Sequence, residues 1–204
     1  MKYIIMAAGQ GKRWGNYLGV PKHLVEINGE TLLGRTTRLL KKYNVDYIIT
    51  SSDERYKQYG KVIPQTYLDC EIDRFEDTED QQVCYLYGDV YYTEEAIKNI
   101  VETQTDEILF FGSEFEIFAV KVVNKDLFML HKQKVKDLYM NGAINRCIGW
   151  EIYRSLNQIP FNEHKITDRY FLIMDGTDDI DYPDDYERFV NERKEWKRII
   201  NTFA

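Results

Sequence analysis

Three groups of residues in this chain could do chemistry. The first is AAGQGKRWG, residues 7–15, with Pro21-Lys22 six residues further on. Gly9 and Gly11 follow a short apolar run, so backbone amides there can approach an anion with no Cβ in the way. Arg13 and Lys22 add positive charge, and a guanidinium can grip two phosphate oxygens at once. Taken alone, the stretch reads equally as a turn leaving a strand, because it is neither a Walker loop nor a dinucleotide fingerprint. The second group is Asp89, in LYGDVYYTEEAI, directly after the apolar run 83–87. The third is DGTDDIDYPDDYERF, residues 175–189. Asp179 and Asp181 are one residue apart, so an extended backbone points both carboxylates one way and Ile180 the other. Both acidic places also have a structural reading. Asp89 can be a turn residue after Gly88, while Pro183, Asp184 and Asp185 suit the first turn of a helix.

These groups need a frame. Apolar runs of strand length recur at 3–7, 47–50, 83–87, 108–111 and 118–123, and near-continuous runs suit strands buried on both faces of a parallel sheet. Between them, residues 31–43 place Leu32, Leu33, Thr36, Leu39, Leu40 and Tyr43 on one helical face. Thr93 can cap a helix whose inner stripe is Ala96, Ile97, Ile100 and Val101. Residues 125–157 read as mainly helical with a break at Asn141-Gly142, 170–174 as a strand, and Pro183 onward as a last helix. The alternation predicts a single α/β domain over 1–204, with a mostly parallel sheet and helices on both faces. In such sheets ligands gather where the chain leaves the carboxyl ends of the strands. The first two groups lie at such ends.

Composition narrows the partners. With 27 basic and 34 acidic residues, a net charge of −7 speaks against a surface that coats nucleic acid. It leaves room for a local basic pocket. No run is long enough to span a membrane, and nothing at the N-terminus reads as a signal peptide. Cys70, Cys84 and Cys147 are odd in number and widely spaced, which fits a reduced, cytoplasmic protein. His23, His131 and His164 have no zinc-type spacing. Oligomeric state is not legible here.

The first group extends into PKHLVEINGETLLGR, ending at Arg35. Together the two resemble the signature of the sugar-phosphate and related nucleotidyltransferases: Ala-Ala-Gly-x-Gly-x-Arg, a spacer, Pro-Lys-x-Leu, then Gly-x-x-Leu-Leu-x-Arg. The resemblance implies a Rossmann-like three-layer α/β/α sandwich of the nucleotide-diphospho-sugar transferase type. It implies transfer of a nucleotidyl group from an NTP to a phosphorylated acceptor, with release of pyrophosphate. Carried over by position, Ala7, Ala8, Gly9, Gln10, Gly11, Lys12, Arg13 and Lys22 would bind the nucleotide. Arg13 and Lys22 would act at the reacting phosphates. Asp89 and Asp181, with Asp179 less secure, would hold Mg²⁺. Ala-Ala-Gly at the first loop and the Asp-Ile-Asp element lean toward CTP or UTP. The chain's length leans toward a small acceptor such as a phospho-alcohol, a phosphoamino compound or a small sugar phosphate. The segment 64–82 departs from the family pattern, being acidic and short of glycine, which leaves base selection open. Two other readings share these features: a metal-dependent glycosyltransferase using a nucleotide-sugar, and a nucleotide-binding module without chemistry. Lesser candidates for the cleft are Lys121, Lys165, Arg169, Tyr91, Tyr92, Glu114 and Glu116.

Overall fold

The computed structural model describes residues 1–9, 11–65 and 68–192. Its strands in chain order are β1 (Lys2–Met6), β2 (Glu26–Ile27), β3 (Glu30–Thr31), β4 (Tyr47–Thr50), β5 (Val62–Ile63) and β6 (Val83–Tyr87). They continue as β7 (Val90–Tyr91), β8 (Ile108–Gly112), β9 (Ile117–Val122), β10 (Tyr170–Leu172) and β11 (Asp178–Asp179). The helices are α1 (Leu32–Lys42), α2 (Glu94–Glu102), α3 (Lys125–Met140) and α4 (Gly149–Leu156), followed by α5, which starts at 183 and is described as far as 192.

Seven strands form the central sheet in the order β10-β8-β9-β6-β1-β4-β5. Alternate residues of β1 explain the layering. Tyr3 and Ile5 pack with Leu33, Leu39 and Leu40 of α1 and Ala96, Ile97 and Ile100 of α2. Ile4 and Met6 face the opposite core, built with Phe128 and Val135 of α3 and Trp150, Ile152, Tyr153 and Leu156 of α4. Side chains alternate across a strand, so a strand apolar at every position is buried on both sides. Helix, sheet, helix is the predicted three-layer sandwich.

Four expectations about the elements change. FAVKVV forms β9, but β9 runs antiparallel to both of its neighbours, β6 and β8. Only residues 113–116 separate β8 from β9, too few for the crossover that a parallel pair needs. Among the described residues no α-helix lies between β4 and β6; short 3₁₀ turns at Glu54–Gln58 and Glu71–Arg74 flank β5 instead. The late strand is shorter than 170–174, and eight residues, 141–148, separate α3 from α4.

The PKHLVEINGETLLGR stretch becomes a hairpin feeding a helix. β2 and β3 pair antiparallel around Asn28-Gly29, whose φ angles of 58° and 80° are those of a tight two-residue hairpin turn. Thr31 then caps α1, its hydroxyl accepting from the Gly34 amide at 3.0 Å. A third apolar cluster joins Trp14, Val25, Ile27, Leu32, Tyr91, Ile180 and Phe189. It binds the first loop, the hairpin, the late aspartate segment and α5 into one wall.

Candidate active site

β1 and β6 are parallel neighbours in register, Met6 beside Tyr87, so the loops leaving their carboxyl ends emerge side by side. The Gly88 amide donates to Met6 O at 3.0 Å. A Cβ at residue 88 would lie 2.8 Å from that same oxygen, 3.1 Å from the His23 ring and 3.2 Å from Ala7. Glycine is therefore required sterically, and it sets Asp89 against the first loop. On the other side, β11 pairs with β7, Asp179 opposite Val90, and the Ile180 amide donates to Asp89 O at 3.0 Å. Ile180 is fully buried in the third cluster, as alternation predicted.

Asp89, Asp181, Lys22 and Arg13 converge. The Lys22 ammonium forms ion pairs with both Asp89 and Asp181, the latter at 2.7 Å, and Arg13 pairs with Asp181 at 2.5 Å. Lys22 and Asp89 are buried. Burial alone would raise the Asp89 carboxyl, but the Lys22 ammonium, with weaker help from His23 and Arg74, holds it well below the usual carboxylate range. Burial likewise opposes charge on Lys22, and the two aspartates more than restore it. This pair stays ionised in the core of the cleft.

Around this cluster runs one continuous cleft with three chambers. The first, about 400 Å³, is lined by Ala7, Ala8, Gly9, Gly11 and Pro21 and by Ser51, Ser52, Asp53, Tyr56 and Gln65. The middle one, about 250 Å³, shares Gly9, Gly11, Lys22 and His23 and adds Lys12, Arg13, Arg74, Asp89 and Asp181. The third, about 310 Å³, shares Arg13, Glu71, Arg74, Asp89 and Asp181 with the middle one and adds Tyr87, Glu116, Trp150 and Asp179.

Ala7, Ala8, Gly9, Gly11, Lys12, Arg13 and Lys22 thus all reach the cleft, while Gln10 lies outside the described residues. Gly11 has φ +58°, and its carbonyl accepts from the amides of Trp14 and Gly15. Trp14 anchors the loop: it is buried and its indole donates to Val20 O at 2.8 Å. Asp179 faces the third chamber and stands apart from the ion-paired cluster. Partial burial, then the charges of Glu116, Asp181 and Asp89, push its carboxyl up to about 8. Glu116, at the rim of the same chamber, is raised to about 7 by desolvation and by Asp181 and Glu71. No three His, Cys, Asp or Glu side chains among the described residues form a ready-made metal cluster. The two aspartates on Lys22 have the chemistry of a magnesium donor set, because magnesium is typically held by one or two carboxylates together with substrate phosphates and water.

Other expected contacts fall elsewhere. Lys121 is neither in the cleft nor exposed; it is buried, with its ammonium donating to Val101 O and Thr103 O at the end of α2. Arg169 pairs with Glu107 at 2.7 Å, away from the cleft. Lys165 lines none of the three chambers. Tyr92 is fully buried and donates to Phe118 O, and Tyr91 packs under Arg35 and against Phe189, so neither lines the third chamber. Tyr87, from the same run, does. Glu114 likewise lies outside it, its carbonyl meeting His164 at 2.6 Å. Asp185 keeps its structural role, accepting from the Tyr182 amide at 2.8 Å. His23 is buried against Tyr56, 2.8 Å from the hydroxyl, and burial lowers its pKa to about 4.

A family model for the MobA-like NTP transferase domain matches residues 3–107, half of the chain, including β1, the first loop, Lys22 and Asp89. The chain belongs to this nucleotidyltransferase family. A search of curated sequences finds no match. Solved structures share the fold at low identity. The inositol-1-phosphate CTP transferase from T. maritima has a TM-score of 0.53 and 15% identity, covering 95% of this chain and 96% of its own. A putative glucose-1-phosphate thymidylyltransferase from Bacillus anthracis reaches 0.61 at 13% identity, with 94% of each chain covered. The CTP:phosphocholine cytidylyltransferase from Streptococcus pneumoniae has 0.53 at 15%, covering 93% and 97%.

The sequence reading of this nucleotidyltransferase missed one wall. Glu71 and Arg74, from the divergent segment, line both the middle and third chambers. Ile72 and Phe75 are fully buried on either side of Asp73 and Arg74, and Asp73 is held by Lys136 at 2.8 Å. Gln65 donates to Asp73 O at 3.1 Å, and the free thiols of Cys70 and Cys147 meet at 2.7 Å. The available signal was that Arg74 is the sole cation between Lys61 and Lys98.

Proposed function

We propose that this chain is a magnesium-dependent nucleotidyltransferase that moves the nucleotidyl group of CTP or UTP to a small phosphorylated acceptor and releases pyrophosphate. The observation that carries this reading is the order of the chambers. A cavity walled by backbone, neutral polar groups and Asp53 opens onto the Lys22–Asp89–Asp181–Arg13 cluster, which opens onto an acidic, aromatic chamber. Base and ribose would occupy the first, the phosphates the second and the acceptor the third. Gln65, buried in the first chamber, has an amide oxygen with no partner among the described residues. It would accept from the amino group of cytosine or the imide N–H of uracil.

Asp89 and Asp181 would hold magnesium, which when bound offsets phosphate charge and keeps donor and acceptor together. Their carboxylates would then no longer occupy Lys22 and Arg13, leaving both cations for the phosphates. Backbone amides of the Gly9–Gly11 loop add donors for the same anion. An ionised acceptor oxygen attacks the α-phosphorus in line, the bond to the β-phosphate oxygen breaks, and pyrophosphate leaves. Positioning and charge stabilisation supply the rate, and no general base is needed.

Among small acceptors, one bearing an amine or ammonium group fits the third chamber best. Glu116 and Asp179 form no salt bridge among the described residues, and the rings of Tyr87 and Trp150 line the chamber beside them. The test is pyrophosphate release from each of the four NTPs with magnesium and a panel of phosphocholine, phosphoethanolamine, inositol 1-phosphate and glucose 1-phosphate. The expected outcome is release with CTP or UTP and an amine-bearing acceptor, abolished by EDTA. Cleavage of a nucleotide-sugar without any NTP-dependent pyrophosphate would overturn the reading in favour of a glycosyltransferase. Tight NTP binding with no turnover on any acceptor would make the chain a binding module.

A further inference from the structure

The cations recognisable from sequence are already neutralised. Lys22 is shared between Asp89 and Asp181, and Arg13 is paired with Asp181. Lys12 reaches the middle chamber only from its exposed lip. Arg74 differs. Its side chain is 18% exposed, and among the described residues it has one ion pair, with Glu71 at 3.8 Å, and no hydrogen bond. A guanidinium carries five N–H donors, and shielding it from water without partners is costly. The group therefore awaits an anion.

Its position says which one. Arg74 lies over the first loop, its guanidinium carbon 3.7 Å from where a Cβ of Gly9 would stand. It borders both the phosphate chamber and the acceptor chamber, and its field reaches Asp89 and His23. The 3₁₀ turn that carries it is fixed by buried Ile72 and Phe75 and by the Asp73–Lys136 ion pair. The side chain is thus presented from a rigid base.

We infer that Arg74 is a catalytic residue of the transfer, gripping the α-phosphate of the nucleotide and the phosphate of the acceptor at the junction of their chambers. This rests on the nucleotidyl-transfer reading above. A planar fork can bridge two phosphate oxygens and so draw two anions together, which a single ammonium cannot do with the same geometry. It also offsets the charge that spreads over the equatorial oxygens as the new bond forms.

The experiment compares wild type with R74Q, R74K and R74A, measuring kcat and KM for both substrates, and binding of CTP, UTP and inorganic pyrophosphate by calorimetry. R74Q is expected to lower kcat/KM by roughly 10²–10³-fold, as loss of one charge-stabilising donor does elsewhere. R74K should recover only part of this, and added guanidinium ion should partly restore R74A, while the thermal midpoints stay near wild type. R74Q with wild-type kcat and KM would overturn the inference. So would a loss matched by a fall in thermal midpoint and untouched by guanidinium, which marks a structural residue. If the wild type binds nucleotide but never releases pyrophosphate, the functional reading fails on its own. Arg74 is then judged by binding: weaker nucleotide or pyrophosphate affinity in R74Q supports a phosphate contact, and unchanged affinity refutes it.

Discussion

The cleft has two walls of different character. The first, from Ala7 to Lys22, is glycine-rich, carries its cations at recognisable positions, and is tied by Trp14 into an apolar cluster shared with the late aspartate segment. Its charges are balanced internally by Asp89 and Asp181. The second, residues 68–75, is acidic, and is held by Ile72, Phe75 and the Asp73–Lys136 pair. It contributes a cation, Arg74, that has one ion pair and no hydrogen bond among the described residues. The lesson is that a self-neutralised wall can be stable before any ligand arrives, while an unbalanced one advertises where a ligand's charge should go. Acidic composition hid this, because one arginine among many carboxylates disappears in a net charge.

The contrast can be broken at several places. Asp89→Asn should have the largest effect, lowering turnover by at least about 10²-fold with the fold retained by circular dichroism. Full activity in that variant would remove the first wall from the chemistry. Arg13→Ala should cost somewhat less, since Lys22 remains, and steady-state kinetics would show it chiefly in kcat.

Smaller effects concern what holds the first wall in place. His23 has a folded pKa of about 4 against an ordinary 6.5, because burial penalises its charged form. The sign follows: its contribution is intact above pH 6.5 and is lost as pH falls toward 4, about 3 kcal/mol in all. Subtracting the denaturation profile of His23→Gln from that of wild type should isolate this slope, and parallel profiles would refute it. Gly88→Ala should destabilise by about 2 kcal/mol, because the added methyl meets Met6 O and Ala7, read as a lower midpoint in urea. The smallest effect is Lys121→Met, which leaves two carbonyls at the end of α2 without their donor. It should cost about 1 kcal/mol and leave turnover unchanged, whereas a kinetic defect would return Lys121 to the cleft.

Much of the frame was legible because it is written locally. Period-two burial of both strand faces, the Thr31 and Thr93 caps, the alternation around Ile180 and the glycines of the first loop depend on neighbours in the chain. The antiparallel run of β9 was less legible, since an apolar strand looks the same in either direction and only the short connection decides. Tyr91 and Tyr92 show the same limit: adjacent in sequence, they pack in different clusters, and Tyr87 takes the cleft position instead.

By itself the sequence determined the three-layer sandwich, the loop after β1 and the aspartates at the strand ends. Those features follow from local periodicity, backbone freedom and the position of charges relative to apolar runs. Only the tertiary structure decided which charges meet: that Lys22 sits between two aspartates from distant segments, that Lys121 serves a helix end, and that Arg74 stands at the junction of two chambers with Glu71 as its one ion-pair partner among the described residues. Ion pairs form between groups far apart in the chain, and their partners are chosen by the packing that brings strand ends together.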